Sequence, residues 1–506
     1  MLTNEKGELV NNGFFEEPIE SQFLERASEE QNSSSVVLNV HEDSIPKETY
    51  KFTEEIESQS LHTKSTDCSV KNLLYTAIPV VISLLSSNIM HMINRTFLAH
   101  YSLTALNSVS LAQQLSNVVL WPLICFSMVS EVFVGQFNGA KNFRNTSLPI
   151  FQIIIFLIIC WAIVCPFALY YCHLFISSTL YKYAAPYFAI CIFMIPIQII
   201  YGAISSFFIG TRQPKIILYS AIFGDVANSV LAYFFIFGIP GVIPSLGSTG
   251  AGIATLISLI ISCSIILYFF LKHENSAIYE TRNIRFDSNI LKKNIALGTP
   301  SAISYTIEMG VWAIIASALA YTCIEEATMH NVCLTILYFS LFLVDGFQKG
   351  VMALASNCIG AEKESMINQL LISNLKVLIC ISALIAIPLL VFPSSILKFI
   401  FGITQFSMIA KIKEVFFALW INITFILMSS MCLGGILNAG GDNRFITYIR
   451  MSATIFCVAI PAFVFFRFGT YTALMSYVLG TMQQIIISIL FFLRYKSGKW
   501  NRNLVK

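Results

Sequence analysis

Twelve stretches of mostly apolar residues, each about as long as a bilayer is thick, follow one another from residue 72 to residue 493. They run roughly over 72–98, 109–136, 147–172, 184–209, 216–238, 248–271, 293–320, 330–357, 367–392, 414–437, 446–466 and 470–493. A helix rises ~1.5 Å per residue, so about 20 apolar residues cross the hydrocarbon core. Inside lipid, every backbone N–H and C=O must be satisfied within the segment or a closed barrel, which makes such stretches helices. The chain is 56% hydrophobic and 12% charged, whereas soluble proteins carry about 25% charged residues. The expected fold class is therefore all-α and integral to the membrane, with twelve transmembrane helices. A net charge of +3 and the absence of a basic block argue against a nucleic-acid partner. The thirteen cysteines occur singly, without a C-x-x-C, and read as small buried hydrophobes rather than metal ligands.

Residues 1–70 differ in composition, being rich in Glu, Ser and Asn and lacking a long apolar run. They read as a disordered cytosolic tail. Lys and Arg gather on one set of connections, among them Lys141, Arg144, Arg212, Lys215, Arg282, Arg285, Lys292, Lys363, Lys376, Arg444 and Arg450. The C-terminal residues Arg494, Lys496, Lys499, Arg502 and Lys506 lie on the same side. The positive-inside rule then places both termini in the cytoplasm, in a plasma or inner membrane.

The twelve spans form two sixes. Lys71 and Pro79 recur as Lys292 and Pro300, Ser83 as Ser304, and Gly139-Ala140 as Gly360-Ala361, all displaced by 221 residues. Later the pattern slips, with Gly210-Thr-Arg-Gln-Pro set against Gly440-Gly-Asp-Asn-Arg. Six spans per copy give both copies the same topology, as in transporters built from parallel halves. The expected organisation is an N-lobe over 71–271, a cytosolic linker over 272–292, a C-lobe over 293–494 and a basic tail over 495–506.

Charged residues inside spans are the candidate functional groups, because each costs on the order of 3 kcal/mol at the bilayer centre. Glu308 stands near the middle of span seven, with Trp312 one turn on. In a wet cavity, a carboxylate can take up a cation or a proton in competition with a second ligand. Asp345 and Lys349 lie four residues apart in span eight, so they share a helix face and can pair. Lys349 also favours an anionic, zwitterionic or neutral cargo over a simple cation. Asp225 sits ~13 Å into span five, with Asn228 on nearly the same face. Glu131 lies nearer the cytoplasmic end of span two and reads as able to snorkel outward. His91 reads as hydrogen-bonded structure.

Several of these residues fall in motifs that resemble the multidrug and toxic compound extrusion (MATE) family. Asn94-Arg-Thr-Phe-Leu-Ala-His100 is similar to the family's Asp-Thr-x-Phe-x-Gly-His, and Gly135-Gln-Phe-Asn-Gly-Ala140 to its Gln-x-x-Gly-Ala. Leu246-Gly-Ser-Thr-Gly-Ala-Gly-Ile-Ala-Thr255 is similar to its Leu-Gly-x-x-Gly-x-Gly-Ile-Ala-Thr, and Asn357-Cys-Ile-Gly-Ala361 to its Asn-x-Leu-Gly-Ala. Pro300 and Glu308 stand where the family has its Pro and Glu. The resemblance implies two pseudo-symmetric six-helix lobes around a cavity that opens alternately to each side. It implies export of an organic, often cationic, compound driven by entering H+ or Na+. The chain also departs from the pattern. Asn94 replaces the first-span Asp and cannot take up a proton, Ala232 stands at a polar position, and span ten lacks a central acid.

The expected protein is thus a monomeric antiporter without cofactor, acting on a small molecule among membrane lipids. Glu308 is its coupling site, and Asp225, Asn228, Asn94, Asp345, Lys349 and Trp312 line its cavity. The rival readings are an exporter or flippase of a lipid-linked or anionic substrate, and a membrane-embedded enzyme. No H-E-x-x-H or G-x-S-x-G occurs to support the enzyme.

Overall fold

The structure is a computed structural model that describes residues 68–176, 178–242, 244–322, 324–401, 406–469 and 471–505. The expected tail therefore lies almost wholly outside the described residues. Every regular element described is helical. The first six long helices are α1 (Val70–Tyr101), α2 (Leu103–Gly139), α3 (Leu148–Phe175), α4 (Ser178–Gly210), α5 (Lys215–Phe237) and α6 (Gly247–Leu271). A short α7 (His273–Tyr279) follows. The second six are α8 (Ser288–Thr322), α9 (Ile324–Gly360), α10 (Ser365–Ala386), α11 (Phe406–Ile426), α12 (Asn443–Ala453) and α13 (Ala473–Lys496). Helix α10 runs on through π turns at Ile387–Val391. Helix α11 continues through Leu427–Gly434 to Ala439, and α12 through Thr454–Ala459 to Arg467. Eleven helices among the described residues are long and apolar enough to cross a membrane, and α8, with 35 residues, is the twelfth. The stretch 272–292, expected as a linker, is itself partly helical, since α7 and the first turn of α8 occupy it.

Apolar residues occupy most faces of these helices, so the core does not use them all. One cluster, around Ile153, Phe207, Phe208 and Phe270, holds the first six helices together. A second, around Phe416, Leu427, Leu433 and Phe491, holds the last six and takes in Leu73, Ala77 and Val81 of α1. Large side chains such as Phe167, Ile163 and Phe463 point outward, as a lipid-facing surface requires.

The internal repeat is clearest at the helix ends. Helices α2, α4, α9 and α11 each stop in the same turn, with a left-handed residue two places beyond the last helical one: Lys141, Arg212, Glu362 and Gly441. In each, the next two N–H groups close back on the last turn, for example Asn142 to the Phe137 carbonyl and Lys363 to the Cys358 carbonyl at 3.0 and 2.9 Å. That is the Schellman closure of a helix C-terminus. The pair Gly210-Thr-Arg-Gln-Pro and Gly440-Gly-Asp-Asn-Arg, out of register in the sequence, thus makes one and the same turn. Pro79 and Pro300 also lie inside corresponding helices, α1 and α8.

The lobes meet through α1 and α2 on one side and α8 and α9 on the other. At the end carrying Lys141, Arg212 and Lys363, called here the basic end, the contact is reciprocal. A Cβ on Gly139 would stand 2.0 Å from the Asn357 carbonyl oxygen, and one on Gly360 would stand 2.0 Å from that of Gln136. Asn357 and Gly360 are Gln136 and Gly139 displaced by the repeat length. The side chains are exchanged as well. Gln136 Nε2 donates to the Ala439 carbonyl at the end of α11 (2.8 Å), and Asn357 Nδ2 to the Gly210 carbonyl at the end of α4 (2.8 Å). Each lobe thereby satisfies a helix terminus of the other. Away from this end the apolar clusters separate by lobe. Leu98, Ala105 and Val109 belong to the first, and Ile315, Leu319 and Val458 to a small cluster of their own.

Candidate functional site

The N-lobe acid is held by hydroxyls. Asp225 on α5 accepts hydrogen bonds from Ser86 (2.6 Å) and Ser87 (3.3 Å) on α1. Asn228, one turn on, is fully buried and donates to Thr255 and Ser258 of α6 at 3.2 and 3.3 Å. Asn94 is buried too, with Nδ2 3.5 Å from Met90 Sδ and no partner on Oδ1. Asp225 thus meets α1 at Ser86 and Ser87 rather than at Asn94. Its serine partners lie about two helical turns, ~10 Å, nearer the basic end.

The C-lobe acid is held by a cation. Arg450 Nη1 approaches Glu308 Oε2 at 3.9 Å, and its Nη2 donates to Ser430 at 2.8 Å. Arg450 Nε is buried with no hydrogen-bond partner. The Glu308 and Arg450 side chains are 18% and 22% exposed, so the pair is sheltered but not dry. Arg450, expected in a basic connection, is instead two turns inside α12. Its charge there is offset by Glu308, a partnership the sequence reading did not name. The signal available in the sequence was an arginine inside an apolar stretch, which needs an internal anion.

Asp345 on α9 is exposed although it lies in mid-helix, beside Gly346, whose Cβ position is filled by Val81 of the other lobe. A side chain so placed faces the crevice between the lobes. Its charged neighbours are Lys349 and Arg450. Asp345 and Lys349 make no ion pair within 4.0 Å, so the direct pairing expected from their spacing is not formed. Lys349 instead lies within electrostatic reach of both Asp345 and Glu131 of α2. Glu131 does not snorkel. It is wholly buried and neither carboxylate oxygen has a hydrogen-bond partner. Tyr305, one turn before Glu308, has Asp345, Glu308 and Cys125 as neighbours, and its ring lies 5.6 Å from that of Trp121 on α2. Trp312 packs within the C-lobe, its ring 3.4 Å from where a Cβ on Gly480 would sit. Among the described residues, no group of His, Cys, Asp and Glu is arranged to hold a metal.

Three acidic residues (Glu131, Glu308, Asp345) and two basic ones (Lys349, Arg450) thus gather where the lobes meet, bordered by Trp121 and Tyr305. Such a set has the chemistry to bind charged or amphipathic molecules and small ions. It contains no aligned nucleophile and base.

The MatE family profile matches the chain twice, over residues 79–234 and 300–464. A protein of Photorhabdus laumondii described as a probable multidrug resistance protein, NorM, is 23% identical over 404 residues, covering 75% of this chain and 84% of its own. A Thermotoga maritima protein of the same description is 22% identical and covers 86% and 94%. Among solved structures, a MOP superfamily transporter from Pyrococcus furiosus, reported with a binding pocket of reverse polarity that suggests a different function, superposes with a TM-score of 0.75. It is 14% identical and covers 86% of this chain and 97% of its own. MATE structures of this kind have twelve helices in two lobes, the architecture found here. The chain belongs to the MATE family of membrane transporters.

Proposed function

We propose that this transporter is a secondary antiporter that exports organic amphipathic compounds by alternating access, with Glu308 as the site linked to the driving ion. The carrying observation is the Glu308–Arg450 contact at 3.9 Å beside the crevice-facing Asp345. With Glu308 ionised, Glu308 and Asp345 offset the arginine and lysine, and a cationic cargo is tolerated. An entering H+ or Na+ must compete with Arg450 for the carboxylate. Once it does, the uncompensated Arg450 and Lys349 repel a cationic cargo. Ion and cargo then oppose each other, which is the negative coupling an exchanger needs. In this reading the structure is the state closed at the basic end, which is cytoplasmic by the positive-inside rule. The protein acts as a monomer in the plasma membrane, without a cofactor, in keeping with the multidrug resistance description of its NorM relatives.

The test is dye efflux from proteoliposomes under imposed pH or Na+ gradients. Wild type is expected to respond to one of the two gradients, and Glu308→Gln to insert normally but lose that response. Glu308→Gln efflux equal to wild type ends the assignment. A second reading, export of an anionic or lipid-linked compound, is favoured by Lys349 and by the unpartnered Nε of Arg450. Efflux of anionic but not cationic dyes selects it.

A further inference from the structure

The last residues of the chain fold back over the basic end. Trp500 is buried, stacks on Tyr495 (5.7 Å) and fills the space beside Gly440. Arg502 reaches the buried Asp442 at 3.5 Å, alongside Arg494, whose Nε stands 2.6 Å from the same carboxylate. Leu504 packs where a side chain on Gly441 would sit, and its carbonyl accepts from Lys293 Nζ at 2.6 Å. All these partners belong to the C-lobe. Two contacts cross to the other lobe. Gln136 Nε2 donates to the Arg502 carbonyl (3.2 Å), and Gln136 Oε1 accepts from the Leu504 N–H (2.8 Å). Leu504 and Val505 also pack in an apolar pocket built by Val129, Phe133 and Phe137 of α2 with Leu297 and Ile290 of α8.

We infer that residues 500–505 are a strap, anchored on the C-lobe and latched onto α2, that holds the basic end of the crevice shut. The Gln136 amide is the keeper, because it carries the strap on both its oxygen and its nitrogen while also capping α11. Separation of the lobes at this end breaks all three hydrogen bonds and withdraws Leu504 and Val505 from Phe133 and Phe137. Trp500 and the Arg502–Asp442 ion pair are left in place, so the strap parts from α2 but stays with the C-lobe, ready to latch again.

The inference rests on the rocking of two lobes proposed above, and its test separates the two. Spin labels go on Asn142→Cys and Lys363→Cys, exposed residues that correspond through the repeat, with the native cysteines replaced. Interlabel distances are then measured for the full chain, for a deletion of residues 503–506, and for full-length Leu504→Asp. Wild type should show mainly the short distance, with a longer one appearing under some ion or dye condition. Both strap variants should raise the long-to-short ratio by about fivefold or more without ligand, and Lys499→Ala should not. Distributions unchanged from wild type in both strap variants overturn the strap. A wild type that keeps one distance in every ion and dye condition overturns the rocking reading itself.

Discussion

The two lobes share a topology and differ in how they keep a carboxylate inside the membrane. In the N-lobe, Asp225 is met by two serine hydroxyls, which stabilise the ion without bringing a charge of their own. In the C-lobe, Glu308 is met by an arginine, so charge is balanced locally and the carboxylate is already engaged. The helices differ in the same sense. Among the described residues, the N-lobe spans run without π turns, while the C-lobe has them at the end of α10 and just beyond it, and in the continuations of α11 and α12. The π turn of α11 holds Ser430, the partner of Arg450, and that of α12 begins four residues after Arg450. An extra residue in a turn swings the side chains that follow around the helix, and such turns concentrate at functional sites. The lobes thus differ in helix regularity as well as in how each holds its acid.

This contrast can be broken by mutation. The largest expected effect separates the two acids. Glu308→Gln should reduce ion-driven efflux by a hundredfold or more (about 3 kcal/mol), whereas Asp225→Asn, which keeps a hydrogen-bonding group for the serines, should cost only about threefold. Equal losses in proteoliposome efflux would mean that both lobes carry the ion. Next comes the reciprocal glycine pair. Gly139→Val and Gly360→Val each push a side chain into a carbonyl that stands 2.0 Å from the Cβ position. Overpacking costs about 1–3 kcal/mol, so each should lower the population closed at the basic end about tenfold or more. Cysteine accessibility at Asn142 and Lys363 reports this, and unequal effects of the two would show that the symmetry stops short of the contact. Smaller than the glycine effect is that of Arg450→Gln. A sheltered but loose pair is worth about 1 kcal/mol, so the coupling-ion concentration for half-maximal efflux should fall about fivefold. No change, or a rise, would separate Arg450 from the coupling.

The pattern of apolar stretches made the class of fold readable, because a bilayer accepts only helices of a certain length. Pro79 and Pro300, with Gly139 and Gly360, made the duplication readable because the offset between the copies is constant. The partnerships were not readable. Glu308 and Arg450 are 142 residues apart, and nothing local ties a carboxylate in α8 to an arginine that looks like the edge of a loop. The spacing of Asp345 and Lys349 suggested a pair, yet none forms within 4.0 Å, and Lys349 lies within reach of Glu131 of the other lobe as well. Asp225 was identified as a candidate, but its serine partners on α1 were not, since only the packing of α5 on α1 fixes which residues face it.

By itself, then, the sequence determined that this chain lies in a membrane, that it crosses in two matched sets of six, and which side chains are too costly there to be idle. Hydrophobicity and helical rise act locally, and a local rule survives without coordinates. Tertiary structure alone decided which charge meets which, that Gln136 and Asn357 exchange partners between lobes, and that the chain's last residues return to the crevice. Those contacts join residues hundreds of positions apart, and their energies depend on distances of a few ångströms that no spacing along the chain encodes.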